Sequence, residues 1–280
     1  MMVLTWLAEQ AGVFEWLAES MARLARGSGP LLYGLTFLLA ALVTALLSLD
    51  VTVLILTPII YALSQRRRLD AIPFVFACTF VANTGSLILP ISNLTNLLVY
   101  SQFKIDFLTF AATMWFPNLV AVVTNLLVFL WIFKGQIPRR FTRRSSYVTP
   151  THWWFHASAA TLSVTLVALL LSGLARLPLA WAALGGGAVL LVISLVGGQV
   201  RLPQVNHAIS WPLFIFVIGM FLVVRGFEET WLATLRFALP RDPLPALLLA
   251  VGGTTIGSNI VNNVPMTLLA LPFIARTHDH

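Results

Sequence analysis

Charge is what this 280-residue chain has least of: only 10% of its residues are Asp, Glu, Lys or Arg, against about a quarter in a soluble domain. With 59% hydrophobic residues beside that scarcity, an ordinary water-soluble enzyme is excluded and the chain reads as a membrane protein. Cysteine occurs once, at Cys78 inside an apolar run, which rules out an intrachain disulfide and a thiolate metal cluster. Acids number ten against 17 basic residues, a net charge of +7. The basic residues fall in short clusters between apolar runs, the positive-inside pattern and not a basic groove, so no nucleic-acid partner is expected. The first apolar run is short, is interrupted by Glu9 and lacks a basic leader, so no cleavable signal peptide is expected either.

Long apolar runs are what the chain does have. At roughly 20 residues per crossing its length allows about seven to nine spans and re-entrant segments. The first 26 residues set Leu4, Trp6, Phe14, Trp16 and Met21 among Glu9, Glu15, Glu19, Arg23 and Arg26. They read as the tail of a span followed by an amphipathic helix at the membrane surface. Residues 31–64 are apolar except for Ser48-Leu49-Asp50-Val51-Thr52 near the middle. One long tilted helix and two half-depth segments both fit; arginines before and after favour a re-entrant hairpin. The span 72–100 is broken at Asn83-Thr84-Gly85-Ser86 and again between Pro90 and Asn96, and 107–133 follows with Pro117 as a kink. Residues 134–156 are a basic cytoplasmic linker, and 157–208 hold connecting spans at about 157–175 and 178–197. A span at 209–224 and a second hairpin at 244–274 with another polar centre complete the chain.

An internal repeat organises these segments. Gly12-Val13-Phe14-Glu15-Trp16-Leu17-Ala18 resembles the run from Gly226 to Ala233, and Asp50 lies 34 residues after Trp16 as Asn263 lies 32 after Trp231. Five crossings separate the two starts, an odd number, so residues 1–133 and 209–280 read as inverted repeats, the second incomplete. That topology puts eleven of the 17 basic residues, Arg143 and Arg144 among them, on the cytoplasmic side. The fold class expected is therefore all-α: a polytopic membrane protein with inverted repeats, re-entrant helical hairpins and broken transmembrane helices.

Inverted repeats with broken apolar segments point to a secondary transporter and not an enzyme. Candidate substrate- or ion-binding residues are Ser48, Asp50, Thr52, Asn83, Ser86, Ser92, Asn93, Asn96, Ser258, Asn259, Asn262 and Asn263. Their neutral donors and acceptors suit a polyhydroxyl or oxyanion solute, or a small cation held by carbonyls. They do not suit zinc, and neither a metal nor a cofactor is expected. Asp50 is the one carboxylate deep in an apolar run, where a charge costs about 2.5–3.5 kcal/mol. It is expected to carry a proton or cation, to cap the second half-helix through the amide of residue 52 or 53, or both. His152 and His156, beside Trp153 and Trp154, read as an interfacial belt.

Three stretches, Leu46 to Ile59, Ala82 to Asn96 and Gly257 to Pro265, together with the linker Lys134-Gly135-Gln136-Ile137-Pro138-Arg139-Arg140, resemble the arsenite and antimonite efflux permeases of the ion-transporter superfamily. The resemblance spans essentially the whole chain, with the motifs in the family's order. It departs at Leu49-Asp50, where the family often has Asn-Asp, and at Asn83, where it often has Asp. It implies a multi-pass protein of the cell membrane, in bacteria the inner membrane, exporting arsenite or antimonite in exchange for protons. It further implies, in some members, an arsenical pump ATPase as partner. A homodimer is left open. A sodium/proton antiporter or dicarboxylate carrier of the same superfamily, and a non-transporting structural remnant, are the alternatives. The family pattern would continue past both ends of the chain.

Overall fold

The computed structural model describes residues 1–141, 152–175, 177–227 and 242–278. Among them every regular element is helical, the one strand-like contact being an isolated bridge between Ser28 and Arg140. Six helices among the described residues are long and apolar enough to cross a membrane: Gly29–Leu46, Leu49–Arg66, Phe107–Ile132, Trp153–Gly173, Leu179–Val196 and Leu244–Val261. The protein is an all-α, multi-pass membrane protein. The chain divides into two compact units, residues 1–93 with 106–209 and residues 94–105 with 210–280.

In the first unit, α1 (Met2–Gln10) packs against α9 (Trp153–Leu174) and α10 (Leu179–Val196). Gly12, at φ 82°, turns the chain into α2 (Val13–Leu24). Phe14, Ala18, Met21, Ala22 and Ala25 are buried at helical spacing, so α2 is amphipathic and lays one face on α3 (Gly29–Leu46) and α5 (Thr57–Arg66). Its Glu19 pairs in the interior with Arg67, just past α5, and its Glu15 stands 3.9 Å from Arg66 at the surface. α3 starts at the Ser28 cap with Pro30 in its first turn, and buries Leu32, Tyr33, Thr36, Phe37, Ala40, Val43 and Thr44 along one stripe.

The chain stops at Leu46, turns through Leu47 and Ser48, and resumes as α4 (Leu49–Val51), which runs through a π turn at Thr52–Leu56 into α5. Pro58 has no N–H for Leu54, and the widened turn is closed by the Thr57 N–H and its hydroxyl, at 2.8 Å for the latter, both donating to the Thr52 carbonyl. Residues 29–66 thus form a hairpin whose two ends return to one place. Phe141 donates its N–H to the Gly27 carbonyl at 2.9 Å, while the Arg67 guanidinium lies 5.9 Å from the Phe141 ring. A single long helix over 31–64 is excluded by that return. Each arm has 18 residues, about 27 Å at 1.5 Å per residue.

α6 (Ile72–Thr84) packs against both arms, and α8 (Phe107–Ile132) against α6 and α3 through a cluster of Phe37, Phe76, Phe80, Phe129 and Phe133. Helix α8 continues unbroken through Pro117. His152 caps α9 by accepting the Phe155 N–H at 3.1 Å, and α9 crosses α10 where Gly186 leaves room for Thr165. A Cβ on Gly186 would come within 2.0 Å of the Thr165 hydroxyl, the small-residue approach usual between membrane helices. A short α11 (Leu202–His207) ends the unit.

In the second unit, α14 (Asn263–His278) packs against α7 (Leu94–Phe103), α12 (Trp211–Phe227) and α13 (Pro243–Val261). The repeat match at 226–233 runs beyond the described residues after Phe227, and Arg143 and Arg144 of the linker also lie outside them.

Candidate functional site

The hairpin tip carries the first candidates. Ser48, with extended backbone, caps α4 by accepting the Val51 N–H at 3.3 Å. The cap expected of Asp50 is therefore made by Ser48, because the helix begins at Leu49, two residues earlier than a cap at Asp50 requires. Asp50 stands exposed in the first turn, and no group among the described residues hydrogen-bonds or ion-pairs with its carboxylate. Thr52 is fully buried, its hydroxyl 2.7 Å from that of Thr44. Since Thr44 itself donates to the Ala40 carbonyl at 2.7 Å, Thr52 is the donor in the pair. The tip lies between the carbonyl end of α3 and the amide end of α4, so opposite partial charges face each other across two residues.

The break after α6 packs on the same tip. Short 3₁₀ turns at Gly85–Leu87 and Pro90–Ser92 replace the α-helix, and Gly85 lies against α3, where a Cβ would come to 3.4 Å from the Ala41 Cα. Ser92, fully buried, donates to the Ala45 carbonyl in the last turn of α3 at 2.6 Å. That bond satisfies one of the carbonyls a helix end leaves open. Ser86 donates to the Asn83 carbonyl at 2.7 Å and accepts from the Asn93 amide at 3.3 Å. The Asn83 side chain is exposed. Ser48, Asp50, Thr52, Asn83, Ser86, Ser92 and Asn93 all belong to the first unit, and backbone or side-chain bonds tie the tip to the break.

Asn96 and the remaining four candidates belong to the second unit. The helix resumes at Leu94, so Asn96 lies within α7, where it is buried. α13 ends at Asn262, whose φ of 82° and ψ of 158° break the helix; its side chain accepts the Asn263 N–H at 2.6 Å as α14 begins. Ser258 and Asn259 each donate one hydrogen bond to the Thr255 carbonyl of their own helix, at 3.0 and 2.8 Å. The helix thus breaks over Leu47 and Ser48 with Ser48 extended, and at Asn262 with a positive φ, and Pro58 and Pro272 stand ten positions beyond Ser48 and Asn262.

Sequence reasoning missed Asn118, Asn125 and Thr44. Asn118 accepts the Leu87 N–H at 3.2 Å and Asn125 donates to Thr84 at 2.8 Å, seven residues apart on α8 and both holding the break. Two amides at heptad spacing in a 26-residue helix whose other polar side chains are threonines were the available signal.

The citrate transporter family matches the chain over residues 1–280. An arsenical pump membrane protein of Escherichia coli is 29% identical over 279 residues, covering 95% of this chain and 65% of that protein. One from Yersinia enterocolitica is 29% identical over 282 residues with the same coverage. A 46 kDa membrane protein of Mycobacterium leprae is 25% identical over 290 residues, 99% of this chain and 66% of its own. The chain therefore spans about two thirds of the length of the curated relatives it matches.

Proposed function

Because the chain belongs to the citrate transporter family, we propose that it forms the core of a secondary carrier that exports arsenite or antimonite in exchange for protons. The observation that carries this reading is Asp50: a carboxylate at a helix break beside the hydroxyls of Ser48 and Thr52, with no hydrogen-bond or ion-pair partner among the described residues and no Lys or Arg in residues 44–58. Arsenous acid is uncharged near neutral pH, and neutral donors and acceptors suit it. Asp50 is the proton-linked group, and helix breaks inside apolar runs at Ser48 and at Asn262 support the inverted-repeat reading. The names of the Escherichia coli and Yersinia relatives support the same solute.

The test is arsenite uptake into everted membrane vesicles driven by a proton gradient without ATP. Accumulation that collapses with an uncoupler, and is lost in Asp50→Asn while the protein remains folded, is the expected result. Gradient-driven uptake that survives Asp50→Asn removes the carrier role from that residue. A requirement for ATP would instead assign the energy to an ATPase partner.

The family's description favours a second reading, a carrier of citrate or a dicarboxylate. Such multiply charged solutes are ordinarily held by cationic side chains, which the three polar breaks lack. Sodium-dependent citrate uptake, unaffected by arsenite, would establish it over the first.

A further inference from the structure

We propose that the base of the first hairpin is a binding site for the phosphate of an anionic phospholipid, built by Arg68, Arg139 and Arg140 with Arg26. Three stretches distant in sequence meet there. Phe141 donates to the Gly27 carbonyl at 2.9 Å, Gly29 donates to the Arg139 carbonyl at 3.3 Å, Ser28 and Arg140 form an antiparallel bridge, and Arg67 lies over the Phe141 ring. The acids of α2 that face this end, Glu19 and Glu15, are taken by Arg67 and Arg66. Asp70, two residues past Arg68, caps α6 by accepting the Ile72 N–H at 3.0 Å. The four arginines of the site are exposed.

The backbone gives an independent reason. Arg26 and Arg68 follow the ends of α2 and α5 with φ of 50° and 54°, the left-handed conformation in which glycine is the usual residue. A long cationic side chain is held there against local strain, at two helix ends on one patch. Depth identifies the occupant. The patch lies at the ends of two 18-residue apolar helices, each of hydrocarbon length, which is the level of the lipid phosphates. Leu24, 67% exposed two residues before Arg26, offers an apolar anchor beside the charges. Guanidinium groups match phosphate oxygens in pairs, so a phosphodiester is the chemistry that fits. The site is independent of the transported solute.

Thermal unfolding of the full chain in phosphatidylcholine nanodiscs, with and without phosphatidylglycerol, tests the assignment through Arg68→Gly. In phosphatidylcholine alone the glycine adopts the positive φ freely and raises the melting temperature above wild type. With phosphatidylglycerol present the order reverses, and the affinity for added phosphatidylglycerol falls about fivefold, the equivalent of about 1 kcal/mol for one arginine near an anionic surface. Arg139→Gln/Arg140→Gln, two surface changes, lowers that affinity further, and inorganic phosphate leaves the melting temperature unchanged. An equal gain from Arg68→Gly in both lipids, a wild type indifferent to phosphatidylglycerol, or full reproduction of the shift by inorganic phosphate would each overturn the proposal.

Discussion

Ser92 donates its hydroxyl to the carbonyl of Ala45 at 2.6 Å across 47 residues of sequence, and with that bond the break after α6 is fastened to the end of α3. Ser92→Ala removes a buried donor and leaves a helix-end carbonyl short of a partner, a loss of about 1–3 kcal/mol. Thermal unfolding should show that loss, with transport reduced alongside it, and Ser92→Thr should restore most of both.

The hydroxyl relay from Thr52 to Thr44 to the Ala40 carbonyl predicts an asymmetry between single and double substitutions. Thr44→Val leaves the buried Thr52 hydroxyl with only the Ser48 carbonyl at 3.5 Å and costs about 1–3 kcal/mol. The double change Thr44→Val/Thr52→Val removes donor and acceptor together and should cost less than Thr44→Val alone. Denaturation midpoints of the three variants measure this directly.

Glu19 and Arg67 are a buried ion pair, with side chains 3% and 2% exposed. Neutralising either partner alone strands a charge and should cost about 3–5 kcal/mol. Glu19→Leu/Arg67→Met should come back close to wild-type stability. Unfolding in phosphatidylcholine alone keeps the effect of lipid charge out of the comparison.

Asn118 and Asn125 make α8 the frame for the break. Asn118→Asp keeps the acceptor for the Leu87 N–H and should preserve it, whereas Asn118→Leu should loosen it. A cysteine introduced at the exposed Asn83, in a Cys78→Ala background, should react faster with a water-soluble maleimide in the Asn118→Leu protein. A cycle of Thr84→Val with Asn125→Leu should return a coupling of about 0.6–1.7 kcal/mol, the range for interhelical hydrogen bonds in membranes.

Much of this architecture was legible in the residues because membrane helices announce themselves by length and by where they are interrupted. Ser48, Pro90 and Asn262 were visible as polar or helix-breaking positions inside apolar runs, and the chain does break beside each of them. Individual polar roles were harder to read. Ser48 and Asp50 are both good capping residues two positions apart, and sequence has no rule for which one the turn will select. Ser258 and Asn259 looked equivalent to Asn262, yet they bond back to their own helix. Asn118 and Asn125 were passed over because they sit within an unbroken span, where a polar side chain is noticed only through a partner distant in the chain.

The π turn between Thr52 and Leu56 acts as a phase setting. An α-helix advances about 100° per residue, so the additional residue that this turn accommodates dials everything before it, Ser48 and Asp50 included, through roughly that angle relative to Tyr61 and the rest of α5. Deleting one residue from 52–56 would restore ordinary helical winding while leaving composition and hydropathy almost untouched. It would swing the carboxylate of Asp50 to another face of the hairpin. Aim, in this hairpin, is set by a count of residues.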